Sequence, residues 1–577
     1  MIKRNLLKRC ATLLLAGGMI FGFTACGNHG GEDNGSDSGG SVQSGNEYEG
    51  TKKDKFTGDG KLIVEYFGVD MDTLQSRSDD TQLIMDTIEN KFQVSFKIMN
   101  GSASSWKTQL NQYIGGGDVP DIFFHTRDEP SYSGWLEEMY LFNYSRMLDD
   151  YPNLKKAFER FPADGMKNLL GGDYYSYPIV MNDSTGDDII NEHALYYRRD
   201  WYEALKAKNW KPSSGRALVD PETENFNYLN FYDLMEGFTK GDPDGNGKED
   251  TYGYAGTKEG GIYWWYPLLS MWGVNTDGWY KNDKGEWRPE CISDEYKNAV
   301  LWIADMYDNG LINSNYATTA TQAVMKNDFV NGVAGMMTYN ATYPMGKGIL
   351  DLMETFAVGG KSLSDVCRAM PVVTGVDGTK KMWGYPNYYG FLAINNDVTV
   401  NKKQKILSIM DWMLSEEGMM VLNYGIEGKH YKLKADKTIE SLLGNDTSGF
   451  PKTLYNETVA PGIYRIKGMV SWSTPIPDYI EHYTEQMQLL TAWKSDYFYM
   501  DELAYASVGT DYALKISQLG DSTDKAFKEI VTSISGNAAA KKETREGIWN
   551  SYVNKYLKQG DGYIKAMNDA AKTQLGL

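Results

Sequence analysis

The chain has 577 residues, a formal net charge of −19, 41 Tyr, 15 Trp and 4 Cys. That length exceeds one typical hydrophobic core and sets two lobes as the expectation. The acidic balance speaks against nucleic acid or another polyanion as the ligand, and four cysteines are too few for a disulfide scaffold.

In chain order, Lys3, Arg4, Lys8 and Arg9 precede a short apolar run over 11–23 that ends in Thr24-Ala25-Cys26. This reads as a signal peptide over 1–25, too short to stay as a membrane span. The step into Cys26 resembles the lipobox of bacterial lipoproteins, with Phe23 where leucine is usual, and implies cleavage before Cys26 and lipid on its thiol. The following stretch to residue 58 is rich in Gly, Ser, Asn and Asp, and over 27–50 its only sizeable apolar side chains are Val42 and Tyr48. It cannot bury enough surface to offset its ordering entropy, and as a coil it spans about 25 to 30 Å. A lipid-anchored body on the extracytoplasmic face of the cell membrane follows.

The body opens with a strand over 61–67, then a helix over 81–92, a strand over 93–99, a helix over 106–114 and a strand over 120–124. Alternating strands and helices predict α/β architecture with a parallel sheet. Ligands sit beyond the carboxyl ends of such strands, which makes Asp70, His125, Thr126 and Arg127 cleft candidates. Helical spacing recurs at 201–209, 230–239, 295–309 and 319–330. A strand over 332–339 then leads into Tyr339 and Asn340, two more candidates. The clearest amphipathic helix spans 403–417, with Gly418 as its stop. From about residue 478 the pattern is mainly helical and polar, ending in 548–557 and 563–575.

Aromatics beyond the needs of a core point to carbohydrate, because sugar rings present C–H faces that pack on aromatic faces. Tyr263-Trp264-Trp265-Tyr266, with Trp272 and Trp279 behind it, places four neighbouring rings on one helix, where they cannot all face one core. Trp264 and Trp265 are the expected ligand contacts. A second cluster, Trp383, Tyr385, Tyr388 and Tyr389, lies among Gly384, Pro386 and Gly390 and reads as a loop before a strand at 391–394. It nominates Trp383 and Tyr388, and Trp472 joins the candidates.

The stretch Asp242 to Asp250 has oxygen side chains at loop positions one, three, five and nine (Asp242, Asp244, Asn246, Asp250) and glycine at position six. With the Lys248 carbonyl this is the spacing of a calcium loop, in which alternate residues converge on one hard cation. Gly253 stands where the usual acidic twelfth ligand belongs, so another group must complete the site. Structural Ca2+ is expected here. Cys291 and Cys367 are either a single bridge or two buried free thiols.

Four local patterns, spread over the mature chain, resemble the extracellular solute-binding proteins of ABC importers. Gly115 to Ile122 is similar to their G-x-x-P-D-[IV] step, Asp173 to Pro178 to a stretch near the hinge, and Tyr197-Arg198-Arg199-Asp200-Trp201 to Y-R-x-D-W. Tyr424 to Tyr431 resembles Y-G-x-E-G-x-H-Y of the large lipoprotein subgroup. The resemblance implies a two-lobed clamp of the periplasmic-binding-protein kind, each lobe a mainly parallel sheet flanked by helices, with a helical C-terminal portion. Its divisions would be 59–180 for the first lobe, 181–340 for most of the second, and 341–577 returning to both. It implies a monomer that captures an oligosaccharide and delivers it to two membrane permease subunits. Some glycan-binding members carry a similar calcium loop. No His-Glu-x-x-His, Cys-x-x-Cys or Gly-x-Ser-x-Gly occurs, and His430 reads as a structural histidine, so no enzyme is expected. A cell-surface glycoside hydrolase, whose two carboxylates leave no local motif, stays open as an alternative, as does a peptide-binding or sensory clamp.

Overall fold

The computed structural model describes residues 49–102, 105–126, 129, 131–181, 189–190, 193–259, 261–318, 321–340, 363–444, 454, 462–471, 497–508, 512–533 and 537–577. Cys26 with its leader, Arg127 and Trp472 lie outside them, as does the side chain of Asn340.

Two sheets organise the body. In the first, Leu62–Phe67 pairs in parallel with Val94–Ile98 on one side and Ile122–Thr126 on the other, as the strand-helix alternation requires. Tyr388–Ile394 then enters from the opposite direction, antiparallel to Ile122–Thr126 and to Tyr177–Val180. A returning segment reaches the sheet from the other end, so the sheet is mixed. The helix Asp79–Phe92 follows the expected face: Ser78 Oγ accepts from the Thr81 amide, Asp79 and Asp80 occupy the first turn, and Ile84, Met85 and Ile88 are buried. Such a side-chain cap is worth about 1 kcal/mol.

The segment before the first strand is clipped to this sheet. Lys52 forms a parallel bridge with Val398. Its ammonium lies 2.7 Å from both Glu65 and Asp121, while Lys402 reaches Asp121 at 2.8 Å. Asp121 is fully buried and also accepts from the Glu65 amide at 2.9 Å. This is the aspartate of the G-x-x-P-D step, and its work is to hold two lysines and a strand. Thr51 bonds Asp397 at 2.7 Å and Thr399 bonds Asp54 at 2.9 Å, completing the clip.

The second sheet runs in the order Cys367–Ala369, His193–Arg198, Ala334–Asn340, Tyr252–Ala255, with one parallel and two antiparallel pairings. Arg198 pairs with Asp200 at 2.7 Å and lies over the Trp201 ring at 4.7 Å, which accounts for Tyr197 to Trp201 structurally. Helices Tyr228–Lys240 and Asp294–Asp308 supply apolar faces to this core. The C-terminal helices Ala513–Val531 and Ala538–Ala570 pack on the same core: Thr523 and Tyr552 hydroxyls meet at 2.9 Å, and Arg545 holds Asp308 at 3.0 Å. The two expected helices at the C-terminus are thus one helix of 33 residues followed by a short π turn.

Three expectations are corrected. The amphipathic helix is Val400–Met413, and Gly418 lies inside a second helix, Glu416–Tyr424, because Ser415 Oγ accepts the Gly418 amide and starts a new turn. The aromatic stretch 382–389 is short strands, Met382–Trp383, Tyr385–Pro386 and the start of Tyr388–Ile394, whose partners come from distant chain segments. Tyr263, Trp264 and Trp265 end a 3-10 turn, with Tyr266 opening a separate short helix. Both remaining thiols, Cys291 and Cys367, are buried and unbridged. No helix among the described residues is long and apolar enough to cross a membrane.

Candidate functional site

A cavity of about 820 Å³ draws its wall from both cores, within the range of sites that enclose drug-sized ligands. The first sheet and its helix supply Thr126, Trp106 and Lys107. The second supplies His193, Tyr263 and Trp264, and the crossing strands add Tyr385 and Tyr388. Two further faces belong to the second core: the segment 276–279, and the C-terminal helices through Leu519, Thr523, Tyr556 and Tyr563.

The aromatic wall is built around His193. Its ring stands edge-on to Tyr263 at 4.9 Å and to Trp264 at 4.6 Å, and Trp264 stacks on Tyr339 at 5.9 Å and 14°. Tyr266 fixes the strand carrying His193, its hydroxyl accepting the His193 amide at 3.1 Å. Burial pushes the His193 imidazole down to about 3, so the ring stays neutral. Thr126 Oγ1 and Trp264 Nε1 are buried atoms of lining residues without a hydrogen-bond partner among the described residues. Unpaired buried donors and acceptors cost free energy that a hydroxylated ligand can recover.

Of the residues nominated from sequence, Trp264, Tyr388 and Thr126 meet at this cavity, and Tyr339 supports Trp264 from behind. Trp265 instead packs against Tyr254, Tyr316 and Phe527 and borders a separate pocket of about 340 Å³. Trp383 sits in a small core with Tyr266 and Met382, its amide donating to Ser270. His125 is locked in the first core, stacked on Phe391 at 5.2 Å with Nε2 2.9 Å from Ser176 Oγ. Asp70 stands at the N-cap position of the short helix after the first strand, with φ 53° and no side-chain capping bond, and pairs with Arg465 at 2.9 Å. Sequence reasoning missed Trp106, Lys107, Asp277, Tyr556 and Tyr563. No local pattern marks them, because the wall joins segments hundreds of residues apart.

In the Asp242–Asp250 stretch, the Asn246 amide nitrogen stands 2.7 Å from Asp244 and 3.2 Å from Asp250, and the Gly247 amide donates to Asp242. Lys208 donates to both the carbonyl and the carboxylate of Asp242. Among the described residues no group of three or more acidic, histidine or cysteine side chains converges on one point. The donor chemistry still fits a hard cation: every side chain in the set offers oxygen, and the positive edge of the amide occupies the gap between two carboxylates. Gly253, at the twelfth position, is pressed against Met235 and Leu311, so no side chain fits there.

His430 is held as a structural residue. Its Nδ1 accepts the Ile426 amide at 2.9 Å, its Nε2 faces Asp80 at 3.1 Å, and Gly425 (φ 87°) leaves room for the ring.

The family profile of bacterial extracellular solute-binding proteins matches residues 89–420, and the chain belongs to that family. Its members act outside the cytoplasm and bind solutes; theirs is not a family of enzymes. Among curated proteins, "Lipoprotein LipO" of Bacillus subtilis is 26% identical over 391 residues, 67% of this chain and 68% of its own. "Polygalacturonan/rhamnogalacturonan-binding protein YtcQ" of the same organism is 24% identical over 57% of this chain and 59% of its own. Among solved structures, an EF-hand mutant of the Streptococcus pneumoniae ABC-transporter substrate-binding protein FusA, in complex with fructo-nystose, superposes with a TM-score of 0.59. It is 18% identical and covers 89% of this chain and 100% of its own. The shared fold is the two-lobed α/β clamp of solute-binding proteins.

Proposed function

We propose that this protein is a receptor tethered by lipid on Cys26, which captures an oligosaccharide in the large cavity and delivers it to two permease subunits of an ABC importer. The observation that carries the reading is the cavity of about 820 Å³ walled by aromatic rings from both cores. Trp264, Tyr388, Tyr263 and Tyr385 offer faces and edges to sugar rings, while Thr126 and the Trp264 indole offer polar atoms to hydroxyls. The names of YtcQ and FusA, both tied to saccharides, support the same ligand class. The lobes divide as 59–180 and 181–340, with the remainder returning to both. Ligand drives closure only by the extra contacts it makes in the closed form. Titration calorimetry against a panel of oligosaccharides tests the reading: micromolar or tighter binding is expected, and no heat from any glycan overturns it. Release of reducing ends from a bound glycan would favour the hydrolase alternative.

The Asp242–Asp250 loop is proposed to hold structural Ca2+, through Asp242, Asp244, Asn246, Asp250 and the Lys248 carbonyl. Support comes from the all-oxygen donor set and from the EF-hand named in the FusA structure. Binding requires the Asn246 amide to turn its oxygen inward. Ca2+ at 100 times its Kd would stabilise the fold by about 2.7 kcal/mol. A thermal shift with Ca2+ that is lost in Asp244→Ala is expected; the same shift in both proteins sinks the site.

A further inference from the structure

The large cavity is bounded on one side by the helix Ala513–Val531, which contributes Ile516, Leu519, Gly520 and Thr523. Spacings of three, four and seven residues put these on one face of the helix. Exposure falls steeply along that face: Ile516 is 41% exposed, Leu519 and Thr523 only 2%. Seven residues of helix rise about 10 Å, so over that distance the wall runs from solvent at Ile516 to the interior at Thr523. The inner end adjoins the aromatic wall. There the Ile262 amide donates to Asp524 at 3.1 Å, fastening the turn that carries Tyr263 and Trp264 to this helix. None of the four helix residues is charged, and the Thr523 hydroxyl is engaged, donating to the Leu519 carbonyl at 2.9 Å and meeting the Tyr552 hydroxyl at 2.9 Å. This wall therefore reads a ligand by shape.

Gly520 interrupts the face. Glycine inside a helix costs stability relative to alanine, because it gives up more backbone freedom on folding. Gly560, on the neighbouring helix Ala538–Ala570, has a packing reason: a Cβ there would meet Leu519 at 3.1 Å and Tyr556 at 3.5 Å. Gly520 has no such reason. A Cβ at this position would meet nothing within 4 Å among the described residues, and Gly520 borders the cavity. The bare backbone leaves open space where the wall turns from buried to exposed.

We propose that Gly520 sets the length of saccharide the protein accepts. An oligosaccharide held at its inner units by the Trp264 wall crosses the bare helix at Gly520 and extends towards Ile516, whose apolar side chain packs on its outer units. A side chain at position 520 would stand in that path. The inference rests on the carbohydrate reading above and makes Gly520 a specificity-determining residue of the same site.

Calorimetry on the full chain tests it, with neutral oligosaccharides of two to six units built from glucose, fructose, galactose or mannose as probes. Wild-type affinity is expected to rise with length. Gly520→Leu should weaken the longest bound saccharide at least about tenfold and change the shortest by less than about threefold. Gly520→Gln, an equally helix-compatible side chain, should give the same split and serves in place of Gly520→Leu if that variant does not fold. Gly520→Ala should raise the melting temperature, since nothing crowds its Cβ. A fall would reveal a packing role and overturn the proposal. Wild-type affinity independent of length, equal losses for long and short saccharides, or no loss in a folded variant overturns the role of Gly520 and leaves the carbohydrate reading standing. If wild type binds no saccharide of the panel, the carbohydrate reading fails and the length selection falls with it.

Discussion

Asp121 in the first lobe and Glu290 in the second are both buried carboxyls, yet they stand in opposite surroundings. Asp121 is flanked by the ammonium groups of Lys52 and Lys402 at 2.7 and 2.8 Å. Glu290 has one backbone amide and two acidic neighbours, Asp501 and Glu295. In the first lobe, buried charge is paired and fastens the chain to the sheet. In the second, burial and acidic neighbours keep the carboxyl protonated at neutral pH rather than paired with a base. The same residue chemistry therefore contributes to stability in one region and is set against it in the other.

Removing a paired buried charge has the largest expected effect. Asp121→Ala strands Lys402, which is 3% exposed, and should cost about 3 to 5 kcal/mol in urea denaturation. A loss below about 1 kcal/mol would erase the contrast between the lobes, since surface pairs are worth that much.

The pH dependence should carry opposite signs in the two regions. Glu65 experiences burial that raises its pKa, but Lys52 and Lys97 outweigh it and hold the carboxyl down to about 2. Its contribution is present above its ordinary value near 4.5 and is lost as pH falls towards about 2. Glu290 is shifted the other way, from 4.5 up to about 8. Stability tied to it is complete below 4.5 and is lost as pH rises through about 8. Glu290→Gln keeps an acceptor for the Asn275 amide and removes that loss, so the variant should be more stable than wild type at pH 8 by about 2 to 3 kcal/mol. Melting curves across pH 4 to 9 check it, and parallel curves for variant and wild type would place Glu290 in a more hydrated setting.

The smallest stability effect should accompany a clear effect on binding. Tyr263 is only half buried and borders the cavity, so Tyr263→Ala should weaken ligand affinity about thirtyfold, near 2 kcal/mol. Its stability should fall only by about 1 kcal/mol, from lost ring contacts to His193 and Trp264. A variant that unfolds easily but binds normally would assign Tyr263 to the core.

Much of the first lobe was legible because its elements are local. The strand at 61–67 and the helix at 81–92 lie within a residue or two of their observed bounds, since period-two and period-3.6 patterns are written in consecutive residues. The stretch 382–389 was not legible. Its strands pair with Ile189–Ile190, Tyr177–Val180 and Phe498–Tyr499, partners that no local pattern announces. The cavity was read by half for the same reason. Trp264 and Tyr388 stood out as members of dense aromatic clusters, whereas Tyr556 and Tyr563 lie on a long helix whose register against the second core decides that they border the space. The pair Trp264 and Trp265 is instructive: adjacent on a 3-10 turn, they border different pockets, and composition alone cannot tell them apart.

The clip at Thr51 to Asp54 also has a mechanical consequence. A pull applied at Lys52 meets its parallel bridge to Val398 and an ammonium that holds Glu65 of the first strand and Asp121 just before Ile122–Thr126. Force along that direction loads the bridge and the ion pairs side by side, in shear, and is absorbed by the first sheet before it reaches the residues around His193. The first lobe takes that load. The aromatic wall, built mainly on the other lobe, is left free of the load.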